Sequence, residues 1–226
     1  MCALVCAQIL CGLFASTASS DTNRDIFFAQ AIAAGRYFPM VGPEINHTIH
    51  LGPLWYYLLA PAAWFGSAAA ITALMGAISA TQFPLAYLLG RRFGSDREAI
   101  LFTGALAMPG WITVAFASMT HTLLVVPACL FSVLVTEAYR EQPRARNALL
   151  IGVGIVFLAT AHPTTLPIAA VLLIWAAFRA PPGLRLAAHA VLAIGPALLS
   201  MAPVLYMEYR GSLGDIDTLA AYSSGG

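Results

Sequence analysis

The chain has no lysine, few acids and no Cys-x-x-Cys pair, and each shortage removes a class of function. Charged residues make up 9% of the 226 and the net charge is +1, with no basic stripe interleaved with aromatics, so nucleic acid is not an expected partner. Of the four cysteines, Cys2, Cys6 and Cys11 fall in the first apolar segment and Cys129 in a later one. Their spacing builds neither a metal site nor a redox pair, and they read as small apolar residues. Period-two alternation of apolar and polar residues is also missing, which excludes a membrane β-barrel.

What the chain has in excess is apolar surface. Hydrophobic residues are 60% of the total and the mean hydropathy is +0.80, more than a soluble domain of this length can bury. A membrane core demands about 20 apolar residues per helix, and helices satisfy their own backbone groups. The expected fold is therefore all-α, a polytopic transmembrane helical bundle of about seven spans, near 2–19, 68–90, 99–117, 122–139, 147–161, 164–178 and 187–206. The whole chain, 1–226, reads as a single module, with a first outer loop at 20–67 and an outer tail at 207–226. A half-length apolar segment, Pro53 to Phe65, is too short to cross. Its Trp55, Tyr56, Tyr57 and Trp64 suit a juxtamembrane helix lying at the interface.

Arginine sets the orientation. Arg91, Arg92 and Arg97 share one loop, Arg140, Arg144 and Arg146 a second, and Arg179 and Arg185 a third. Assigning these loops to the cytoplasm leaves Arg24, Arg36 and Arg210 outside, as the positive-inside rule prefers, with a cytoplasmic N-terminus. Small residues from Ala15 to Ser20 also offer a signal-peptide cleavage site, but no positive charge precedes the apolar run, and the segment is read as a retained span.

The polar island at 19–53 carries most of the chemistry: Asp21, Arg24, Asp25, Glu44, His47 and His50 crowd the exit of the first span. Within it a helix is predicted over Arg24 to Gly35, with Ile26, Phe27, Gln30, Ala31 and Ala34 on one apolar face. Asp21 suits the N-cap and Asp25 the first turn, while Gly35 closes the helix. Both acids therefore have a purely structural account beside a catalytic one. Farther on, Gly152 and Gly154 read as close helix contacts rather than a phosphate loop.

The ordered set Asp21-x-x-Arg24, Gly35-Arg36-Tyr37-Phe38-Pro39, Gly42-Pro43 and His50-Leu51-Gly52-Pro53-Leu54-Trp55-Tyr56-Tyr57-Leu58 resembles the first periplasmic loop of bacterial GT-C glycosyltransferases. These are relatives of the protein O-mannosyltransferases and of the lipid A aminoarabinose transferase. The likeness continues in Leu88-Leu89-Gly90-Arg91-Arg92-Phe93-Gly94 and in Ala161-His162-Pro163. It implies a bacterial inner-membrane enzyme that passes a sugar from a polyprenyl phosphate to an acceptor hydroxyl on the periplasmic side, with inversion. By position, Asp21 is the implied general base and Asp25 the fallback. Arg24, Arg36 and the histidines are placed to meet the charge of the lipid phosphate.

In the expected topology His47, His50, His121 and His162 all lie at the outer surface, and His189 does not. His121 stands where some GT-C relatives carry an acid. No His-x-x-x-His pair or similar ligand spacing occurs, so neither a metal nor any other cofactor is expected. The chain is short for the resembled family, which leaves open a fragment, a minimal module, or a non-catalytic subunit packed against other membrane subunits. A transporter ranks last, since the spans hold almost no ionisable residue besides His189 and no inverted repeat.

Overall fold

The computed structural model describes residues 2–14, 19–45, 49–108, 119–211, 213 and 214, and for 11–14 the backbone alone. Ten α-helices occur among the described residues: α1 (Cys2–Phe14), α2 (Ser20–Ala33), α3 (Leu54–Ala63), α4 (Ala68–Ala80), α5 (Gln82–Phe93), α6 (Asp96–Ala107), α7 (Val125–Glu141), α8 (Ala145–Ala161), α9 (Leu166–Ala177) and α10 (Leu184–Tyr209). A short 3₁₀ turn, His121–Leu124, leads into α7, and another, Pro163–Thr165, leads into α9. The strand content is a two-residue hairpin, β1 (Glu44–Ile45) and β2 (Ile49–His50), pairing Glu44 with His50 and Ile45 with Ile49.

Among the described residues, three stretches are long and apolar enough to cross a membrane: Ala68–Phe93, His121–Glu141 and Leu184–Tyr209. Seven were expected. That count is not supported: each expected segment contains helix, but Ala145–Ala161 and Pro163–Ala177 are shorter than a full span, and α1 and α6 are described over only 13 and 12 residues. The Ala68–Phe93 rod is interrupted at Thr81. Pro84 has no N–H to donate to the Ala80 carbonyl, so the helical ladder breaks there and restarts as α5.

Two apolar cores hold the bundle. One joins α3, α4 and the entry to α7 through Trp55, Tyr56, Leu59, Ile71, Met75 and Leu123; the other joins α7, α8 and α10 through Val135, Tyr139, Ile151, Leu158 and Ala193. Glycine sets the closest approaches. A Cβ on Gly154 would stand 2.7 Å from Ser132 Oγ on α7, and one on Gly152 would stand 2.5 Å from the Leu192 carbonyl on α10.

The two ends of the bundle differ. At one, Arg91 pairs with Asp96, and Arg92 Nη2 meets Glu141 Oε1 at 2.6 Å, bringing the α5–α6 and α7–α8 turns together. The other end carries α2, the hairpin and the 3₁₀ turn at His121, roughly 25 Å away along the 17 residues of α7.

Three local expectations are corrected. The N-cap of α2 is Ser19, whose Oγ accepts the Thr22 N–H at 3.1 Å, and Asp21 falls inside the first turn. The inward face of α2 carries Thr22, Asp25, Ala29 and Ala31, with Ile26, Phe28 and Ile32 packed against the first core, whereas the expected Phe27 and Ala34 are exposed. Trp55 and Tyr56 are buried in the first core rather than set in an interfacial belt; Tyr57 and Trp64 remain outward.

Gly35 does close α2. At φ +65°, it lets the Arg36 N–H reach the Ala31 carbonyl and its own N–H reach that of Ile32, a Schellman ending. The base of the hairpin is tighter still, since a Cβ on Gly42 would lie 2.1 Å from the Gly52 carbonyl oxygen. Because both atoms belong to backbone, Gly42→Ala is expected to cost about 2–4 kcal/mol, seen as a lowered unfolding midpoint in detergent.

Candidate functional site

The site grows from the first turns of α2 and α3. The helical spacing turns Thr22 and Asp25 to the same inner face, and Asp25 is 0% exposed. A carboxylate so buried needs donors, and three reach it. Trp55 Nε1–H donates to Oδ2 at 2.6 Å, while Arg24 Nε and Nη2 donate to Oδ1 at 3.2 and 3.1 Å. The other arm of the same guanidinium, Nη1, donates to Asp21 Oδ1 at 2.9 Å. One arginine thus ties a buried acid to an open one, because the Asp21 side chain is 52% exposed.

Burial pushes the Asp25 carboxyl up to about 6, against the opposing pull of Arg24 and of the Trp55 hydrogen bond. The Tyr56 hydroxyl is also pushed up by burial, again with Arg24 opposing. Arg24 is therefore the central cation of the cluster, acting on both acids and on Tyr56.

Thr22 Oγ1 donates to the Met119 carbonyl at 3.0 Å, which fastens α2 to the segment entering the 3₁₀ turn. That contact brings in His121. Its ring is 4% exposed, and neither ring nitrogen has a hydrogen-bond partner among the described residues. The charged groups acting on it are Arg24, His162 and Asp21. Two unsatisfied nitrogens in a buried ring cost free energy, and such groups call for a partner beyond the described residues. His162 follows α8; its Nδ1 accepts the Thr164 N–H at 3.3 Å and pairs with Thr164 Oγ1 at 2.9 Å, and burial lowers its proton affinity.

Of the residues expected from sequence, Asp21, Arg24, Asp25, His121 and His162 come together. Arg36 does not: it is exposed beyond the far end of α2, roughly 18 Å along the helix from Arg24. His50 sits in the hairpin opposite Glu44, and His47 lies outside the described residues. Sequence reasoning missed Trp55 and Tyr56 as site residues. A signal was available, because a tryptophan that enters a core brings an N–H that needs an acceptor.

Below the polar cluster opens an apolar cavity of about 410 Å³. Leu58, one turn past Trp55, and Leu124, at the end of the His121 turn, line it together with Pro84, Pro127, Phe131 and Phe157. A charged cluster over an apolar cavity suits an amphiphile with a polar head and a hydrocarbon tail. Among the described residues no group of three His, Cys, Asp or Glu side chains is placed to hold a metal ion. No protein-family model, curated protein or solved structure matches this chain.

Proposed function

We propose that the chain is a GT-C-type membrane glycosyltransferase module, multi-pass in a bacterial inner membrane, with a cytoplasmic N-terminus and residues 20–67 on the periplasmic side. In this reading it transfers a sugar from a polyprenyl phosphate to an acceptor hydroxyl. The observation that carries it is the meeting of Asp21, Arg24, His121 and His162 above the apolar cavity at Leu58 and Leu124.

Asp21 is the base. It is open to solvent, so an acceptor can reach it, whereas both oxygens of buried Asp25 already accept hydrogen bonds. Asp21 takes the proton of the acceptor O–H as that oxygen attacks the anomeric carbon. The bond from that carbon to the phosphate oxygen breaks, and the lipid phosphate leaves with the electron pair. Arg24 and the two histidines meet the departing charge, and the buried Asp25–Trp55 pair fixes Arg24 in place.

The test is binding of a polyprenyl-phosphate sugar to the purified chain by native mass spectrometry, with wild type beside the double variant Asp21→Asn, Arg24→Ala. Retention by wild type and loss in the variant supports the donor site. Absence of binding in both turns the reading to a non-catalytic subunit of a membrane complex. One observation favours that second reading: only 11% of the apolar window of α10 is buried within the chain.

A further inference from the structure

The arginine-rich end carries a second feature that the transfer reaction does not use. Between α7, α8, α9 and α10 lies a cavity of about 190 Å³, lined by Tyr139, Ile151, Leu173, Ala180, Leu186 and His189 among others. Its lining is apolar except for Tyr139 Oη and His189 Nδ1, which are 2.9 Å apart. Outside it stand Phe178 and Leu184, 75% and 91% exposed, so the cavity opens onto apolar surface rather than into the core.

The charge around the mouth has one sign. Arg179 adjoins the lining residue Ala180, Arg185 adjoins Leu186 and precedes His189 by one turn, and Arg144 precedes the lining residue Ala148 by one turn. All three arginines are exposed, and none pairs with a carboxylate among the described residues. The nearby acid, Glu137, is already neutralised: Arg140 Nη1 bonds it at 3.2 Å and Trp175 Nε1 donates to it at 2.6 Å, with the Arg140 guanidinium 3.7 Å above the Trp175 ring. The rim is thus cationic, with no counter-ion among the described residues.

We infer that this groove binds one anionic phospholipid, its phosphate between Arg179 and Arg185 and one acyl chain laid along α9 and α10. The charge fits the headgroup and the apolar floor fits the chain. If the Tyr139 hydroxyl donates to His189 Nδ1, the ring carries its proton on Nε2 and has a donor left for the lipid ester. This inference rests on the chain lying in a membrane and not on sugar transfer.

The experiment is native mass spectrometry of the full chain in detergent, titrated with phosphatidylglycerol and, separately, phosphatidylcholine of the same acyl chains. Each arginine near an anionic headgroup changes affinity about five-fold, so wild type should prefer phosphatidylglycerol by about thirty-fold and Arg179→Gln with Arg185→Gln should erase that preference. Arg97→Gln, an exposed arginine on α6 away from the groove, should leave it intact. Ala190→Phe fills the groove from an exposed position and should weaken both lipids. Equal binding of the two lipids by wild type, a preference that survives the double variant, or an equal loss in Arg97→Gln overturns the inference. None of these readouts involves the donor site at Asp21, so the two readings fail separately.

Discussion

Asp21→Asn should lower sugar transfer by about 10²–10⁴-fold, the usual contribution of a positioned general base. The amide keeps an oxygen for the Arg24 Nη1–H and loses only the capacity to take a proton. Donor binding should therefore survive, and stability should change by less than about 1 kcal/mol, because the pair with Arg24 is half-exposed. The assay is single-turnover transfer from a polyprenyl-phosphate sugar at saturating donor, beside a thermal melt of the same preparation. Full activity in Asp21→Asn together with its loss in Asp25→Asn moves the base to Asp25. Full activity in both removes this loop from the chemistry.

Asp25 should dominate stability instead. Asp25→Ala strands the Trp55 N–H in the core and takes one of two acids from Arg24, at a cost of about 3 kcal/mol. Asp25→Asn, which keeps an acceptor and removes the buried charge, should cost far less at neutral pH. Both substitutions remove the titrating carboxyl, so wild type differs from either of them in its pH dependence. The carboxyl is raised in the folded state from 3.8 to about 6, so between those values the folded chain holds a proton that the unfolded chain has released. Stability from this group is therefore greatest at low pH, falls as pH rises through the window from about 4 to about 6, and is flat above it. The fall amounts to about 3 kcal/mol. Melting wild type and Asp25→Asn in detergent across that window should show wild type losing about 3 kcal/mol relative to the variant between about pH 4 and about pH 6. A constant difference would show that Asp25 keeps an ordinary proton affinity.

Much of this architecture was legible because hydropathy reports helices in membrane-like sequences well. The expected segment at 122–139 falls within His121–Glu141, and that at 187–206 within Leu184–Tyr209. What hydropathy does not report is which side of a helix faces the interior. On α2 Phe27 points outward while Ile26, Phe28 and Ile32 pack on the first core, and the ionisable Asp25 points in beside Ala29. The period of the pattern was correct and its phase was off by about one residue, because Asp25 turns inward to meet the Trp55 N–H and Arg24 and brings Phe28 rather than Phe27 toward the core. The N-cap was missed for a smaller reason: Ser19 and Asp21 are both good caps, and only the backbone decides which hydroxyl or carboxylate meets the free N–H groups. The site itself was half legible. Arg24 and its two acids are close in sequence, and the expected topology put His121 and His162 on the same surface, whereas Trp55 and Met119 join them only through packing.

The lopsided burial of α10 has a consequence for how its sequence can change over evolutionary time. The helix is fastened at two places: Leu192 and Pro196 against Gly152, and Ser200 and Met201 against Gly52 at the hairpin. Between and beyond them Val191, Leu198, Leu199 and Leu205 face outward, where any apolar residue of ordinary size satisfies the surroundings equally well. Drift should accumulate at those outward positions, with leucine, isoleucine, valine and phenylalanine trading places freely. The glycines that receive the helix should stay fixed, since a single methyl group at Gly52 or Gly152 would lift α10 off both fastenings at once or tilt it about the one that remains.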